Sequence, residues 1–341
     1  MQKVPFTNLG FEVSRLGFGM MRLPTVISDE GKSVINRPEA IAMVRHAIDH
    51  GLNYVDTAYG YHDGESEIVT GLALKQGYRE RVKLTTKLPQ WLVNEYEDMD
   101  RLLDEQLKKL DVPYVDFYLI HALNREAFHK MQGLDYKKFL KQATADGRIK
   151  HCGFSLHDDK DAFLEIVNDH DWDLAQIQLN YLDDEYQATV DGMYHAASMG
   201  IGVVCMEPLR GGAIVNPPQN VLDMMKGYDK QYSPVEWAFR YVSNFKEVCT
   251  ILSGMSTMLQ LEDNLDIFGR VIVDNISRQD SAFIKRLKKT YLDRIAIGCT
   301  KCNYCLPCQQ GVLIPGIFEA VNKAYMFDAP SDFDHAYGEI L

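Results

Sequence analysis

Four of the seven cysteines in this 341-residue chain lie within one ten-residue stretch, at Cys299, Cys302, Cys305 and Cys308. Thiolates two residues apart can wrap an iron-sulfur cube, so the spacing predicts a 4Fe-4S cluster and electron transfer. Zinc is less expected, because zinc sites usually separate two C-x-x-C pairs by a dozen or more residues. Only two residues separate the pairs here.

Disulfide bonds are a third use of clustered cysteines, and they need an oxidising compartment. The N-terminal residues 1–8 carry no apolar stretch of the kind that serves as a signal peptide. We therefore expect a cytoplasmic protein with reduced thiols. The other three cysteines, Cys152, Cys205 and Cys249, fall in apolar runs and are expected to be buried.

Three polar residues, Asp56, Lys87 and His121, end or directly follow successive apolar runs. Each has a structural alternative: an Asp can cap a helix, a Lys can extend its amine to solvent, and a His can be an ordinary core residue. An acid, a base and an imidazole at neighbouring strand ends would nevertheless meet at one edge of a sheet. Their joint occurrence favours a shared catalytic site.

Short runs rich in β-branched and aromatic residues alternate with helical patterns along the chain. The predicted strands are residues 14–19, 52–56, 82–86, 115–120, 149–154, 174–178, 202–206 and 248–252. Apolar residues at helical spacing lie between them, as in 38–50 and 101–110. Strands that alternate with helices pair in parallel, and eight such units predict an α/β fold, a (β/α)8 TIM barrel, rather than an open doubly wound sheet.

Two further segments flank the predicted barrel. Residues 4–13 have Asn8-Leu9-Gly10 at their centre and predict an N-terminal β-hairpin that closes the bottom of the barrel. We assign residues 1–280 to the barrel. Residues 281–341 are predicted to form a C-terminal helical extension that carries the Cys-rich, ferredoxin-like segment.

Several motifs in this order resemble those of the aldo-keto reductase family. The run Asp56-Thr57-Ala58-Tyr59-Gly60-Tyr61 is similar to the family motif D-[ST]-A-x-x-Y, and Gly64, Ser66 and Glu67 fit its continuation. Thr85-Thr86-Lys87 fits the lysine strand of the family, and residues 116–121 fit its histidine strand. The resemblance covers roughly residues 4–270 and implies reduction of an aldehyde or ketone by NAD(P)H.

The resemblance also implies a role for each of four residues. Tyr61 is the general acid that protonates the carbonyl oxygen, and Lys87 lowers the pKa of that phenol into a useful range. Asp56 pairs with Lys87 and holds it charged. His121 donates a hydrogen bond to the substrate oxygen and aligns the carbonyl. Tyr59 is a wall residue.

The cofactor residues that the resemblance implies lie at or after the ends of five predicted strands. Ser155 and Gln178 would contact the nicotinamide carboxamide, and Met206 would take the place of the usual stacking aromatic residue. The other expected cofactor contacts are Gly19, Met20, Met21, Pro208, Leu209, Arg210, Gly211, Ser253, Gly254, Met255, Ser256, Gln260 and Asn264. No basic residue lies between Lys246 and Arg270, so the choice between NADP and NAD stays open and a weak preference for NADPH is expected.

The cysteine run makes the chain similar to the reductases of this family that carry a ferredoxin-like tail, which implies that a cluster there either exchanges single electrons with an electron-carrier protein or acts as a structural staple. A small carbonyl compound is the expected substrate, and the alternative function is a nucleotide-sensing regulatory protein with slow turnover. The net charge of −12 argues against nucleic acid, whose binding needs basic side chains. No apolar run approaches the ~20 residues that a transmembrane helix needs, so no membrane is expected.

Overall fold

The computed structural model describes residues 1–274, 276–299, 302, 304–331, 333 and 338. The strands in chain order are β1 Lys3–Pro5, β2 Glu12–Ser14, β3 Leu16–Gly19, β4 Thr25–Ile27, β5 Ser33–Ile35, β6 Tyr54–Asp56, β7 Lys83–Leu88, β8 Val115–Leu123, β9 Ile149–Leu156, β10 Leu174–Gln178, β11 Gly202–Met206 and β12 Val248–Gly254. The helices are α1 Arg37–Asp49, α2 Glu65–Ala73, α3 Tyr96–Leu110, α4 Arg125–Gly133, α5 Tyr136–Ala145, α6 Lys160–Val167, α7 Thr189–Ser198, α8 Gln219–Lys226, α9 Pro234–Ser243, α10 Met258–Arg270, α11 Arg278–Leu292 and α12 Ile314–Phe327.

Eight of these strands form a closed barrel in the order β3-β6-β7-β8-β9-β10-β11-β12. Every neighbouring pair is parallel, and β12 closes the ring against β3 by pairing Ile251 with Leu16 and Gly254 with Gly19. The predicted (β/α)8 TIM barrel is therefore confirmed. β7 and β8 continue two and three residues beyond the predicted ends, to Leu88 and Leu123, so Lys87 and His121 lie within these strands.

The predicted N-terminal hairpin is also present, as the antiparallel pair β1 and β2. Phe6 follows β1 and is fully buried. Its ring stacks on that of Tyr54 with centroids 6.4 Å apart and leaves no room for a side chain at Gly202. Tyr54 and Gly202 are the first residues of β6 and β11, so the hairpin covers the N-terminal end of the barrel.

A second hairpin, β4 paired with β5, was not predicted. Each of its strands has three residues, and Val26, Ile27 and Val34 are exposed. Strands of three residues, in which all but Ile35 are exposed, lack the alternation by which a half-buried strand is recognised in sequence.

The described residues group into two compact units. The first contains the barrel and takes residues within 1–179, 183–208 and 242–275. The second takes residues within 180–182, 209–241 and 276–341, and its core contains Trp237, Phe283 and Tyr291. The domain boundary expected at residue 280 stays a prediction, because a compact unit need not be a domain that folds by itself.

No described helix could cross a membrane. None of them combines the length and apolar character that crossing a bilayer requires.

Candidate functional site

Lys87 is the centre of a polar cluster at the C-terminal end of the barrel. It lies in β7 and is fully buried. Its Nζ donates to Asp56 Oδ1 at 2.7 Å, to the carbonyl oxygen of Thr57 at 2.8 Å and to Tyr61 Oη at 3.3 Å. Asp56 ends β6, directly beside Thr85 of β7. The register of two parallel strands therefore brings Asp56 and Lys87 together, and the segment after β6 adds Tyr61.

The protonation of this cluster follows from burial and from the pairing. Burial alone would lower the pKa of Lys87, but Asp56 and Tyr61 raise it above its usual value. Lys87 is therefore an ammonium group. Burial raises the pKa of Asp56 against the opposing effect of Lys87, and the second carboxylate oxygen, Oδ2, has no hydrogen-bond partner among the described residues.

Tyr61 differs from the expectation in its acidity. Lys87 was expected to lower its pKa into a useful range, whereas burial outweighs Lys87 and the pKa of Tyr61 is raised above its usual value. Removal of water from the phenolic oxygen disfavours the phenolate more than a single ammonium group favours it. Tyr61 is therefore a neutral phenol at neutral pH, with its proton available for donation.

His121 lies in β8 beside the tyrosine. Its ring and that of Tyr61 meet edge to face with centroids 5.9 Å apart, and the Trp91 ring lies 5.2 Å away on centroids. Burial, with a smaller contribution from Lys87, lowers the pKa of His121 to about 2. His121 is therefore a neutral imidazole, and its Nδ1 makes no hydrogen bond to the described residues.

A buried polar network supports the backbone of Lys87 from behind. Gln106 in α3 donates through Nε2 to the carbonyl oxygen of Lys87 at 2.9 Å and to Glu67 Oε1 at 2.7 Å. Tyr118 donates to Gln106 Oε1 at 2.7 Å, and Thr86 donates to Glu67 Oε1 at 2.6 Å. Sequence reasoning missed Gln106. Its signal is a polar residue on the otherwise apolar face of α3, one residue before the buried Leu107.

The predicted cofactor contacts from the first and last barrel strands lie at one edge. Gly19 pairs with Gly254, and a Cβ at Gly19 would lie 3.4 Å from the carbonyl oxygen of Ser253. Met20 is buried, whereas Met21 is 57% exposed. The backbone segments that follow β3 and β12 therefore lie close together at this end of the barrel.

Side-chain hydrogen bonds order the segment after β12. Asn264 donates through Nδ2 to Ser253 Oγ at 3.0 Å, and the Ser256 amide donates to Gln260 Oε1 at 2.8 Å. Ser256 Oγ donates to the carbonyl oxygen of Arg22 at 2.9 Å. Met255 is buried beside them. The predicted contacts in this segment are therefore tied to one another and to the segment after β3.

Arg22 is a residue at this edge that sequence reasoning missed. A Cβ at Gly254 would lie 3.1 to 3.3 Å from three carbons of the Arg22 side chain, so the arginine stem covers the glycine. The signal in the sequence is a basic residue directly after Gly19-Met20-Met21. It supplies a cation beside a segment that has none of its own between Lys246 and Arg270.

Two predicted carboxamide contacts lie at neighbouring strand ends. Ser155 Oγ in β9 accepts from the amide of Ala122 at 2.7 Å, which leaves its own hydroxyl proton for another acceptor. Gln178 at the end of β10 donates to Asp183 Oδ2 at 3.0 Å. Met206 ends β11 and is half-buried; its sulfur accepts from the Gln176 amide at 3.7 Å.

Other predicted cofactor contacts follow β11. Pro208 is buried in the first compact unit, whereas Leu209, Arg210 and Gly211 belong to the second. Within that second unit Arg210 contacts Met326 Sδ at 3.1 Å and lies over the Phe327 ring at 5.3 Å. The predicted pyrophosphate role of these three residues stays a prediction.

The predicted metal site at the cysteine run gains no support from the described residues. Three of the thiols, Cys299, Cys302 and Cys305, are exposed, and Cys308 is half-buried. Among the described residues, which include all four thiols, no group of three or more His, Cys, Asp or Glu side chains comes together to hold a metal ion. The arrangement does not fit an iron-sulfur cluster, and neither the ferredoxin-like fold nor an electron-carrier partner gains support.

The other three cysteines are buried, as predicted. Burial raises the pKa of Cys152 to about 12 and that of Cys249 to about 11, and it also raises the pKa of Cys205. These thiols are protonated and unreactive in the folded barrel.

At the C-terminal end of this parallel barrel, Lys87 contacts Asp56 and Tyr61 beside the neutral His121. The active sites of barrel enzymes lie at this end. A sequence model of the aldo/keto reductase family matches residues 15–284, most of the chain. The chain belongs to the aldo/keto reductase family and is an oxidoreductase.

Individual relatives are more distant than the family match. The chain is 23% identical to the NADH-specific methylglyoxal reductase of Escherichia coli (strain K12), over 84% of this chain and 98% of that protein. It is 25% identical to the L-galactose dehydrogenase of Arabidopsis thaliana, over 76% and 85%.

Solved structures share the fold at similar distance. The holo form of the aldo-keto reductase AKR11C1 from Bacillus halodurans superposes with a TM-score of 0.70 at 20% identity, over 84% of this chain and 96% of that one. An aldo-keto reductase from Klebsiella pneumoniae in complex with NADPH has a TM-score of 0.66 at 22% identity, over 84% and 95%.

Proposed function

We propose that this enzyme reduces an aldehyde or ketone group of a small molecule to an alcohol, with NADPH or NADH as reductant. The observation that carries the proposal is the contact of one buried ammonium group, Lys87, with both Asp56 and Tyr61. A nicotinamide cofactor supplies a hydride to the carbonyl carbon. The protein must then supply a proton to the carbonyl oxygen at the same place.

Tyr61 supplies that proton. Its raised pKa keeps the phenol protonated at neutral pH, and donation leaves a negative charge on its oxygen. The Lys87 ammonium, 3.3 Å away, stabilises this charge by about 5 kcal/mol at an effective dielectric constant of 20, before the cost of burial. Lys87 therefore stabilises the phenolate that forms as Tyr61 gives up its proton, and so lowers the barrier to proton transfer.

Asp56 and His121 orient the reaction. Asp56 holds the Lys87 amine in place at 2.7 Å. A neutral His121 offers one ring N–H to the carbonyl oxygen without competing with Tyr61 as an acid, because its pKa is far below neutrality. The Trp91 ring lies beside the His121 ring, tilted by 50°, and gives the substrate an apolar wall.

The residues at the barrel edge fit a nicotinamide cofactor. Ser155 has a free hydroxyl proton for a carboxamide oxygen, and Gln178 adds an amide at the next strand end. Gly19, which pairs with Gly254, has no side chain, so a ligand can approach its backbone directly. Arg22 adds a cation for phosphate groups. Relatives of this chain use NADH or bind NADPH, as their names state, so we propose NAD(P)H without a fixed preference.

The alternatives from the sequence are not favoured. The relatives are named as reductases and dehydrogenases, which argues against a nucleotide sensor that turns over slowly. The four tail cysteines have no part in the proposed reaction, because hydride and proton transfer need only the groups in the barrel.

Replacement of the proposed acid tests the function. We expect Tyr61→Phe to lower the rate of carbonyl reduction about 10³-fold, because the variant lacks the hydroxyl group that donates the proton but keeps the ring. Methylglyoxal and a panel of simple aldehydes serve as substrates, and fluorescence titration measures NADPH and NADH affinity, which we expect to stay within about threefold.

Tyr59→Phe is the matched control. Tyr59 donates to Glu105 at 2.9 Å and lies two residues before Tyr61, so its variant should keep turnover within about threefold of wild type. The proposal fails if Tyr61→Phe keeps more than about a tenth of wild-type turnover.

A further inference from the structure

The turn directly after Tyr61 has an unusual backbone. His62 has φ of 50° and ψ of 50°, Asp63 has φ of 55° and ψ of 32°, and Gly64 has φ of 89°. Three successive residues therefore lie in the left-handed region. For each non-glycine residue this conformation costs about 1–2 kcal/mol. Contacts from outside the turn must hold it.

One of those contacts comes from His62 itself. Its ring atom Nε2 accepts a hydrogen bond from the backbone amide of Leu23 at 3.1 Å. Leu23 follows a short 3₁₀ helix, Met20–Arg22, which leads away from β3. His62 therefore links the strained turn to the segment that carries Met20 and Met21.

A second bond ties the same two segments on the other side of the turn. Ser66 Oγ donates to the carbonyl oxygen of Met20 at 3.0 Å. The segment from Met20 to Leu23 thus accepts one hydrogen bond from Ser66 and donates one to His62. The left-handed residues Asp63 and Gly64 lie between these two points of attachment. Removal of either bond leaves the strained turn held at one side only.

The bond to Leu23 requires an unprotonated ring nitrogen, since a protonated Nε2 carries a hydrogen and cannot accept. Burial lowers the pKa of His62, against a smaller opposing effect of Asp63. The ring is therefore neutral at neutral pH, with a lone pair available for the Leu23 amide.

We propose that His62 is a positioning residue, whose ring holds the left-handed turn against Leu23 and thereby keeps the phenol of Tyr61 against Lys87. The inference rests on the proposed role of Tyr61. His62 itself does not touch the reacting atoms. It acts on catalysis because a shift of a proton donor by a fraction of an ångström changes the rate far more than the binding of substrate.

Two substitutions separate the hydrogen bond from the bulk of the ring. His62→Phe keeps an aromatic ring but removes the acceptor. His62→Gln keeps an acceptor, because the Gln Oε1 lies as many bonds from Cα as Nε2 of His. We expect kcat to fall about tenfold in His62→Phe and to stay within about twofold of wild type in His62→Gln, with the KM for the carbonyl substrate little changed in both.

His195→Phe is the matched control. His195 is also half-buried and contacts Asn168 Oδ1 through Nε2 at 3.0 Å, in α7. Loss of a comparable histidine hydrogen bond there should leave kcat unchanged. Thermal melting of all variants reports folding, and if His62→Phe does not fold, His62→Ala replaces it as the variant without an acceptor.

The outcomes distinguish this inference from the proposed function. Wild-type kcat in the variants without an acceptor, or equal losses in His62→Phe and His62→Gln, would overturn the positioning role while Tyr61→Phe remains inactive. Full activity of Tyr61→Phe would instead overturn the function on which the inference rests.

Discussion

Two regions of this molecule carry residues that could do chemistry, and they differ in how those residues are brought together. Asp56, Tyr61 and Lys87 are spread over more than thirty residues, yet Lys87 contacts both others inside the barrel. Cys299 and Cys308 are the ends of a ten-residue run, yet the described thiols in this run do not gather into a ligand set. Proximity in sequence was the weaker guide to a site.

Burial explains the difference. In the barrel, the register of parallel strands fixes where each side chain lies, and removal of water makes every charge depend on a partner. In the cysteine run three thiols are exposed, so water can reach them. A buried charge needs a partner of opposite charge, whereas water can stabilise an exposed group.

Disruption of the buried ion pair between Asp56 and Lys87 is the change from which we expect the largest effect. Asp56→Leu leaves a buried ammonium without its carboxylate, so we expect the free energy of unfolding to fall by about 3–5 kcal/mol. The double variant Asp56→Leu, Lys87→Met should be more stable than Asp56→Leu, because both charges are then absent. Urea denaturation of the single and double variants measures the coupling.

An exposed pair at the same distance is the control. Lys289 Nζ lies 2.6 Å from Asp293 Oδ2, but both side chains are more than half exposed. Lys289→Met should change stability little, because solvent screens such pairs. Equal losses in the buried and exposed pairs would show that burial does not control the strength of these interactions.

Thiol reactivity compares the two groups of cysteines directly. We expect Ellman's reagent at pH 8 to modify the exposed Cys299, Cys302 and Cys305 at least about a hundredfold faster than the three buried barrel cysteines. Cys308 should retain reactivity at lower pH, since backbone hydrogen bonds from the Gln310 and Val312 amides lower its pKa. Protection of the whole run in native, anaerobically purified protein would contradict the prediction and indicate a bound cluster.

The pH dependence of stability tests burial at His121. Its pKa is lowered to about 2 in the folded chain, whereas an unfolded histidine titrates near 6.5. Below pH 6.5 the unfolded chain therefore binds a proton that the folded chain does not, and stability falls as the pH falls. Between pH 6.5 and 5 we expect His121 to account for roughly 2 kcal/mol.

His121→Gln isolates this contribution. The pKa values of His62, His157 and His170 are lowered too, so wild type loses stability from several histidines. Urea denaturation at pH 7.5 and pH 5 should show a smaller loss in His121→Gln than in wild type. An equal loss in both proteins would mean that His121 is protonated in the folded barrel.

The eight barrel strands and three members of the site could be predicted from sequence because each depends on a local signal. An apolar run ending in Asp56, or one followed by Lys87, marks a strand end at the barrel mouth. Gln106 could not be assigned, because its partners Glu67, Thr86 and Tyr118 come from three other elements. The acidity of Tyr61 was predicted in the wrong direction, because the balance of burial against Lys87 depends on the folded environment.

Replacement of all four tail cysteines by serine gives the smallest expected effect. Hydride and proton transfer need only groups in the barrel, and the exposed thiols contribute no buried contacts. We therefore expect turnover to stay within about twofold of wild type and the melting temperature to stay within about two degrees. Steady-state assays with NADPH and NADH, together with iron and sulfide analysis of wild type, measure this. A tenfold loss of turnover, or iron and sulfide near four per chain, would mean that the run gathers around a cluster and that its sequence pattern was the better guide.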